Sequence, residues 1–367
     1  MKLVVFFSRG MSLEGWRQAG ILERELALYR ALRPHLEHLA FVTYGGAEDL
    51  RLSGQASGIE VLVNRWSLPA NLYSVLAPYL HRRTLGRATI FKTNQINGAW
   101  CAVIAKCLFR KRLVVRCGLL WSDFMVRLTT SRWRRMLAEC LERAIFRAGD
   151  ALIVAGHADR ATIIQRYDLD AGRTHVVPNY VATSLFRLMP EVSRESRRVI
   201  TVGRLEEQKN TESLIEALKE LPGVKLSIVG DGSLRADLEK RVSKYNLNVE
   251  FLGAVPHEEL PRLLNRAELF ILPSHYEGNP KALFEAMACG LPVIGTRVPG
   301  IQQVLIHEET GFLCGTTPSD IRAALREMLE RSELRERVSS RGLAYAQEHF
   351  SLTRIAQQEL AVLTTLS

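Results

Sequence analysis

Along the whole chain, short β-prone runs alternate with helical stretches, usually through a glycine-rich or polar turn. In the first half such runs fall at 3–7, 38–44, 59–63, 89–92, 113–115 and 151–154. In the second they fall at 199–202, 225–229, 249–252, 269–272, 292–295 and 311–313. A helical pattern over 14–33 carries Ile21, Leu22, Leu26, Leu28, Tyr29 and Leu32 as its apolar stripe, and further helices are expected at 211–220, 232–245 and 333–366. Strand-to-helix alternation of this kind argues for an α/β chain built on parallel sheets with helices on both faces. The polar, aperiodic stretch 186–198 (FRLMPEVSRESRR) reads as a linker between two complete series. With 367 residues and roughly 150 per domain, two domains are expected, 1–185 and 186–340, followed by a terminal helical segment 341–367.

Composition narrows the class. Apolar residues make up 47% and charged residues 24%, as in soluble globular proteins, and no run approaches the length of a membrane span. The opening MKLVVFFSRG has too short an apolar run for a signal peptide. Six cysteines, at 101, 107, 117, 140, 289 and 314, form no CxxC pair and no zinc-like spacing with histidine. Net charge is +10 and unevenly spread: residues 1–185 hold 26 Lys/Arg against 14 Asp/Glu, the remainder 23 against 25. A basic half suggests an anionic partner, either a phosphorylated small molecule, a nucleic acid or an anionic membrane surface, with plain surface solvation as the alternative.

In open parallel sheets, ligands sit beyond the carboxyl ends of the strands. Four loops at such ends stand out in the second half: 203–210 (GRLEEQKN), 230–233 (GDGS), 273–280 (PSHYEGNP) and 298–301 (VPGI). Gly203-Arg204 and Lys209 supply a guanidinium fork and a mobile ammonium, the two cations that grip phosphates. Asn279 is expected to cap a helix whose first residue is Pro280, with Lys281, Ala282 and Leu283 in the opening turn. A helix start is an anion site, and Arg204, Lys209 and this start together suit a diphosphate. Glu285, further into the helix, can accept two ribose hydroxyls, while Glu277, in the loop with Gly278, can accept hydroxyls of a sugar. Each carboxylate alone reads better as a surface or helix-dipole group, and the site reading rests on both standing around one helix start.

The Glu277-x7-Glu285 segment, followed by AMACGLPVI and accompanied by GRLEEQKN and VGDG, resembles the retaining nucleotide-sugar glycosyltransferases of family 4. VVPNYVATSLF (176–186) and GFLC (311–314) extend the likeness, which is continuous over about 150–350 and scattered before it. The resemblance implies the GT-B architecture: two Rossmann-like doubly wound domains facing a donor/acceptor cleft, with the terminal helix packing back toward the first domain. It implies a donor in which UDP, GDP or ADP carries the sugar, an acceptor that is a glycan or lipid-linked, and no cofactor or metal. By the same likeness Arg204 and Lys209 neutralise the leaving diphosphate, Glu285 holds the ribose, Glu277 touches the transferred sugar, and N–H groups near Ala282 and Leu283 cradle phosphate. The base is expected against Gly230 and the Gly253-Ala254-Val255 loop, and Gly10, in the loop after the first strand, faces the donor. Transfer in such enzymes is described as a front-face substitution in which the departing phosphate helps to deprotonate the acceptor.

Departures from the family pattern fall mostly in the first half. Where relatives place a histidine near the reactive carbon, this chain reads Val114-Val115-Arg116-Cys117-Gly118, which makes Arg116 the candidate replacement, with Asp123 and Lys92 as others. Ala182 and Gln303 stand where Asp and Glu are frequent. Residues 127–147 combine Arg132, Arg134, Arg135, Arg143 and Arg147 with Trp133, Met136, Leu137, Leu141, Ile145 and Phe146. That pattern fits either a helix on an anionic leaflet or ordinary core packing. A nucleotide-sugar epimerase of the same fold is the rival reading, although the first half offers few acid/base carboxylates. A nucleic-acid-binding protein is less favoured, because no helix-turn-helix, RNP or zinc pattern occurs. The expected setting is a cytoplasmic bacterial enzyme at the inner face of the membrane, building a surface polysaccharide or glycolipid.

Overall fold

The computed structural model describes residues 1–56, 58–118, 120, 122 and 131–366. Asp123 and the beginning of the 127–147 segment, 127–130, lie outside the described residues. The chain divides into one unit of Met1–Pro178 with Ile355–Ser367 and another of Asn179–Arg354. The stretch 186–198 lies inside the second unit, and the chain enters the first unit again at Ile355.

The first unit holds strands β1 (Lys2–Phe6), β2 (His38–Val42), β3 (Glu60–Leu62), β4 (Ile90–Thr93), β5 (Arg112–Cys117), β6 (Ala151–Val154) and β7 (Thr174–Val176). They form a seven-stranded sheet in the order β3-β2-β1-β4-β5-β6-β7. The second unit holds β8 (Arg198–Val202), β9 (Lys225–Val229), β10 (Val249–Gly253), β11 (Leu269–Leu272), β12 (Val293–Thr296) and β13 (Phe312–Cys314). Their six-stranded order is β10-β9-β8-β11-β12-β13. The ladders in both are parallel, such as Val4 opposite Ala40 and Phe91, and Val199 opposite Leu226 and Leu269.

Central strands of a doubly covered sheet must be apolar on both faces, which is why they read as unbroken hydrophobic runs rather than alternating ones. β11 shows this directly. Phe270 and Leu272 pack in one core with Phe284 and Ile301, whereas Leu269 and Ile271 pack in the other with Leu214 and Leu325.

Strand order also fixes where a ligand can sit. In each sheet the direction of winding reverses once, between β1 and β4 in the first and between β8 and β11 in the second. The loops leaving such a neighbouring pair diverge to opposite faces and leave a crevice at the strands' carboxyl ends.

Local detail corrects several expectations. The helix expected over 14–33 is two helices, Leu13–Gln18 and Leu22–Leu32, broken at Gly20, whose φ of +67° takes it out of the helix. The terminal helical stretch is likewise two helices, Ser332–Phe350 and Leu352–Thr364. Strand β7 was not expected from sequence. Arg132–Ala148 is helical, and its apolar residues divide: Ala138, Ile145 and Phe146 are buried, while Trp133, Met136 and Leu137 are 77%, 49% and 59% exposed.

Candidate functional site

The loops after β8 and β11 leave the second sheet at its switch point, and they carry Arg204, Lys209 and Glu277. Lys209 Nζ lies 2.5 Å from Glu277 Oε1. Ser274 Oγ donates to that same oxygen at 2.7 Å. Glu277 Oε2 takes no hydrogen bond from the described residues, so one face of a carboxylate only 7% exposed remains available to a ligand. The loop is fixed by its backbone: His275 N–H donates to the Gln208 carbonyl at 2.9 Å, and Gln208 Nε2 donates to that of Tyr276 at 3.0 Å. Asn210, at φ +51°, ties the first loop down by donating from Nδ2 to the Pro273 and Thr316 carbonyls.

Arg204 is exposed, and its guanidinium makes no hydrogen bond or ion pair among the described residues. Its charge helps hold the neighbouring Glu206 carboxyl below the usual range, after the larger effect of hydrogen bonds from Ser233.

The helix Lys281–Ala288 begins beside these groups. Asn279 is not its cap: Asn279 Oδ1 accepts the Asn179 N–H at 2.7 Å, and the Asn279 carbonyl accepts Asn179 Nδ2 at 2.9 Å. Pro280 occupies the cap position instead, and with no side-chain acceptor there the helix start is uncapped. The tertiary tie to Asn179 overrides the local capping preference of Asn. Leu283 N–H is engaged by the Pro280 carbonyl at 3.2 Å, so of the two expected cradle donors it is Ala282 N–H that lacks a protein acceptor among the described residues. Lys281 Nζ sits 5.9 Å over the Tyr180 ring. Gly278 needs a slim neighbour: a Cβ on Gly300 would stand 2.2 Å from the Glu277 carbonyl oxygen and 2.5 Å from that of Gly278.

Gly230 and Gly203 bring the loops after β8 and β9 together. A Cβ on Gly230, whose φ is +131°, would overlap the Gly203 carbonyl oxygen at 1.9 Å. Gly230 N–H reaches the Gly253 carbonyl at 2.7 Å, joining the loop after β10, where Val255 is half-buried. Glu285 is 5% exposed and faces His257, with His257 Nε2 3.0 Å from Glu285 Oε1. His257 belongs to none of the motifs in the sequence. Its only signal was its place two residues after Val255.

In the first unit the candidates stand otherwise. Gly10 has φ +79° with open space where a Cβ would point, so backbone conformation rather than crowding requires glycine there. Arg116 Nη1 is paired with Glu359 Oε2 at 3.2 Å, and Lys92 Nζ with Glu359 Oε1 at 2.8 Å. Burial works against the Lys92 ammonium, but Glu359 and the Tyr29 hydroxyl together outweigh it and hold the lysine above its ordinary value. Elsewhere, a cavity lined by Arg194, Glu268 and Arg335 opens at the strands' amino ends, with Arg335 already matched to Glu268 at 3.2 Å. Among the described residues no cluster of His, Cys, Asp or Glu could hold a metal ion, and no helix is long and apolar enough to cross a membrane.

Two parallel Rossmann-like units define the class, and comparison with known proteins gives the family. Residues 190–344 match the family described as Glycosyl transferases group 1, and residues 19–180 match the Glycosyl transferase 4-like domain. The chain belongs to the family 4 type of glycosyltransferases, with the GT-B fold. The gpi3 subunit of phosphatidylinositol N-acetylglucosaminyltransferase from Schizosaccharomyces pombe is 32% identical over 44% of this chain and 37% of its own length. The chain thus spans less than half the length of that curated relative. N-acetyl-alpha-D-glucosaminyl L-malate synthase of Bacillus anthracis is 25% identical over 93% of this chain and 92% of its own. Among solved structures, Anabaena HepE in complex with UDP superposes with a TM-score of 0.81 at 21% identity, over the full length of both chains, which shows the shared fold.

Proposed function

We propose that this protein is a retaining, metal-independent glycosyltransferase that moves a sugar from a nucleoside diphosphate to a glycan or lipid-linked acceptor. The observation that carries the reading is the meeting of Lys209, Glu277 and an uncapped helix start at the switch point between β8 and β11. Arg204 and Lys209 neutralise the diphosphate, with Ala282 N–H as a backbone donor. Glu277 Oε2 accepts a sugar hydroxyl, Glu285 the ribose hydroxyls, and the loops at Gly230 and Val255 border the base. In the transfer, the bond from the anomeric carbon to the phosphate oxygen breaks and a bond to the acceptor oxygen forms on the same face. The acceptor's proton passes to the departing phosphate, whose charge the two cations stabilise as it develops. HepE is described with UDP and, in another structure, with UDP-glucose, and this supports a nucleotide-sugar donor.

Arg116 is assigned to bracing the terminal helix through Glu359 rather than to the sugar, since its guanidinium is already engaged. The exposed Trp133, Met136 and Leu137, beside exposed Arg132 and Arg134, favour an anionic membrane surface as a further partner. Co-sedimentation with anionic vesicles tests that part. On this reading the enzyme works at the cytoplasmic face of a bacterial membrane, in surface polysaccharide or glycolipid synthesis.

The donor is tested by thermal unfolding with a panel of UDP-, GDP- and ADP-sugars, together with nucleotide release. One donor should raise the melting temperature, and Glu285→Ala should abolish the rise. Stabilisation by duplex DNA and by none of the sugars would sink the reading.

A further inference from the structure

Glu285 is a carboxylate on a helix that is apolar from Ala282 to Ala288 but for this residue, flanked by the fully buried Phe284 and Ala286, and it needs something to aim it. We infer that His257 is a positioning residue that orients Glu285 for the two ribose hydroxyls. This deepens the reading above and rests on it. His257 comes from the loop after β10, while Glu285 comes from the helix after β11, so neither element fixes the pair by itself.

The geometry carries the inference in three steps. An ionised carboxylate only accepts, so at 3.0 Å His257 Nε2 must carry the proton and donate to Glu285 Oε1. That bond consumes one lone pair and stops rotation about the carboxylate's last torsion, which is otherwise broad. Oε2 and the second lone pair of Oε1 then point in set directions, as a vicinal pair of hydroxyls requires. Finally, the imidazole is itself held. Its ring centroid lies 4.9 Å from that of Phe186, which is 1% exposed, and the His257 side chain is only 14% exposed.

A rotating carboxylate would still attract hydroxyls, but it would lose rotamer freedom on binding and so bind them less tightly. His257 therefore bears on the choice between ribose and deoxyribose, not on the phosphates or the chemical step.

The test measures dissociation constants by calorimetry for UDP, GDP and ADP, and then for the 2′,3′-dideoxy counterpart of whichever binds best. Wild type should prefer the ribonucleotide. His257→Phe, which keeps a ring against Phe186 and removes the donor, should weaken ribonucleotide binding by about tenfold. It should leave 2′,3′-dideoxynucleotide binding, which lacks both hydroxyls, within about twofold, so that the preference collapses. His257→Gln, which keeps an N–H donor, should restore most of the preference, and Glu285→Ala should behave as His257→Phe or worse. Equal weakening of both nucleotides by His257→Phe would mean general damage to the loop and would overturn the inference, as would no weakening at all. If Glu285→Ala alone collapses the preference, the ribose assignment stands and only the role of His257 falls. Should wild type bind no nucleoside diphosphate, the donor reading falls and takes this one with it.

Discussion

Glu277 and Glu359 are both carboxylates gripped by basic side chains, one in each unit, and they serve opposite ends. Glu359 is fully buried, with Lys92 on one oxygen and Arg116 on the other. Glu277 shares one oxygen between Lys209 and Ser274 and leaves the other without a protein donor among the described residues. A cation on each oxygen makes the first a brace, which holds the helix Leu352–Thr364 against β4 and β5. An oxygen that no cation or donor among the described residues faces leaves the second with capacity for a ligand. The placement of a charge pair relative to the strand ends, and whether an oxygen is left over, separates the two better than the pairing itself.

The comparison breaks most readily at the brace. Removing one member of a buried pair leaves the remaining charges without compensation, and such changes cost about 3–5 kcal/mol. Glu359→Ala should lower unfolding stability by about that much in urea titration and should loosen amide protection along Leu352–Thr364. A loss under about 1 kcal/mol would show that the triad is not what holds this helix. Glu359→Leu, which fills the volume, should lose a similar amount, because both cations stay buried.

At the grip the signs reverse. Glu277→Gln keeps the shape and hydrogen-bonding capacity but discards the charge that Lys209 faces. Transfer should fall by about two orders of magnitude, the scale seen when one group that stabilises developing charge is lost. The melting temperature should move by only a few degrees, because the amide oxygen can still accept from Lys209 and Ser274. A variant that unfolds like Glu359→Ala would make Glu277 structural, and the contrast between the two carboxylates would disappear.

Legibility from the sequence follows the same division. In the second unit the candidate groups lie in short loops at strand ends, so Arg204, Lys209, Glu277 and Glu285 could be picked out from their places in and beside those loops. The alternation of strand and helix patterns likewise carried both sheets. What escaped depends on partners far away in the chain. Arg116 and Glu359 are separated by 243 positions, and nothing near Arg116 announces a carboxylate on the terminal helix. Asn279 reads as a cap until Asn179, 100 residues earlier, takes its side chain. β7 is three residues long and begins with a threonine and a histidine, too short and polar for periodicity to reveal. The break at Gly20 is a single positive φ inside an otherwise continuous apolar stripe.

The basic excess of the first half raises the last contrast. Charge there is mostly scattered, and much of it is paired, as with Lys106 and Arg112 on Asp150. On the helix Arg132–Ala148, exposed arginines instead stand beside exposed Trp133, Met136 and Leu137, whose spacing of three and four residues puts them on one face. An aromatic anchor with neighbouring arginines suits an interface of headgroups and acyl chains, where each basic residue adds a modest, salt-sensitive attraction. Arg132→Glu with Arg134→Glu should cut sedimentation with phosphatidylserine vesicles by about tenfold at low salt, and raised salt should erode wild-type binding toward that level. Trp133→Ala should weaken binding at every salt concentration, because its contribution is burial rather than charge. Binding indifferent to salt and to the arginine changes would assign this face to a protein partner and return the basic excess to plain solvation.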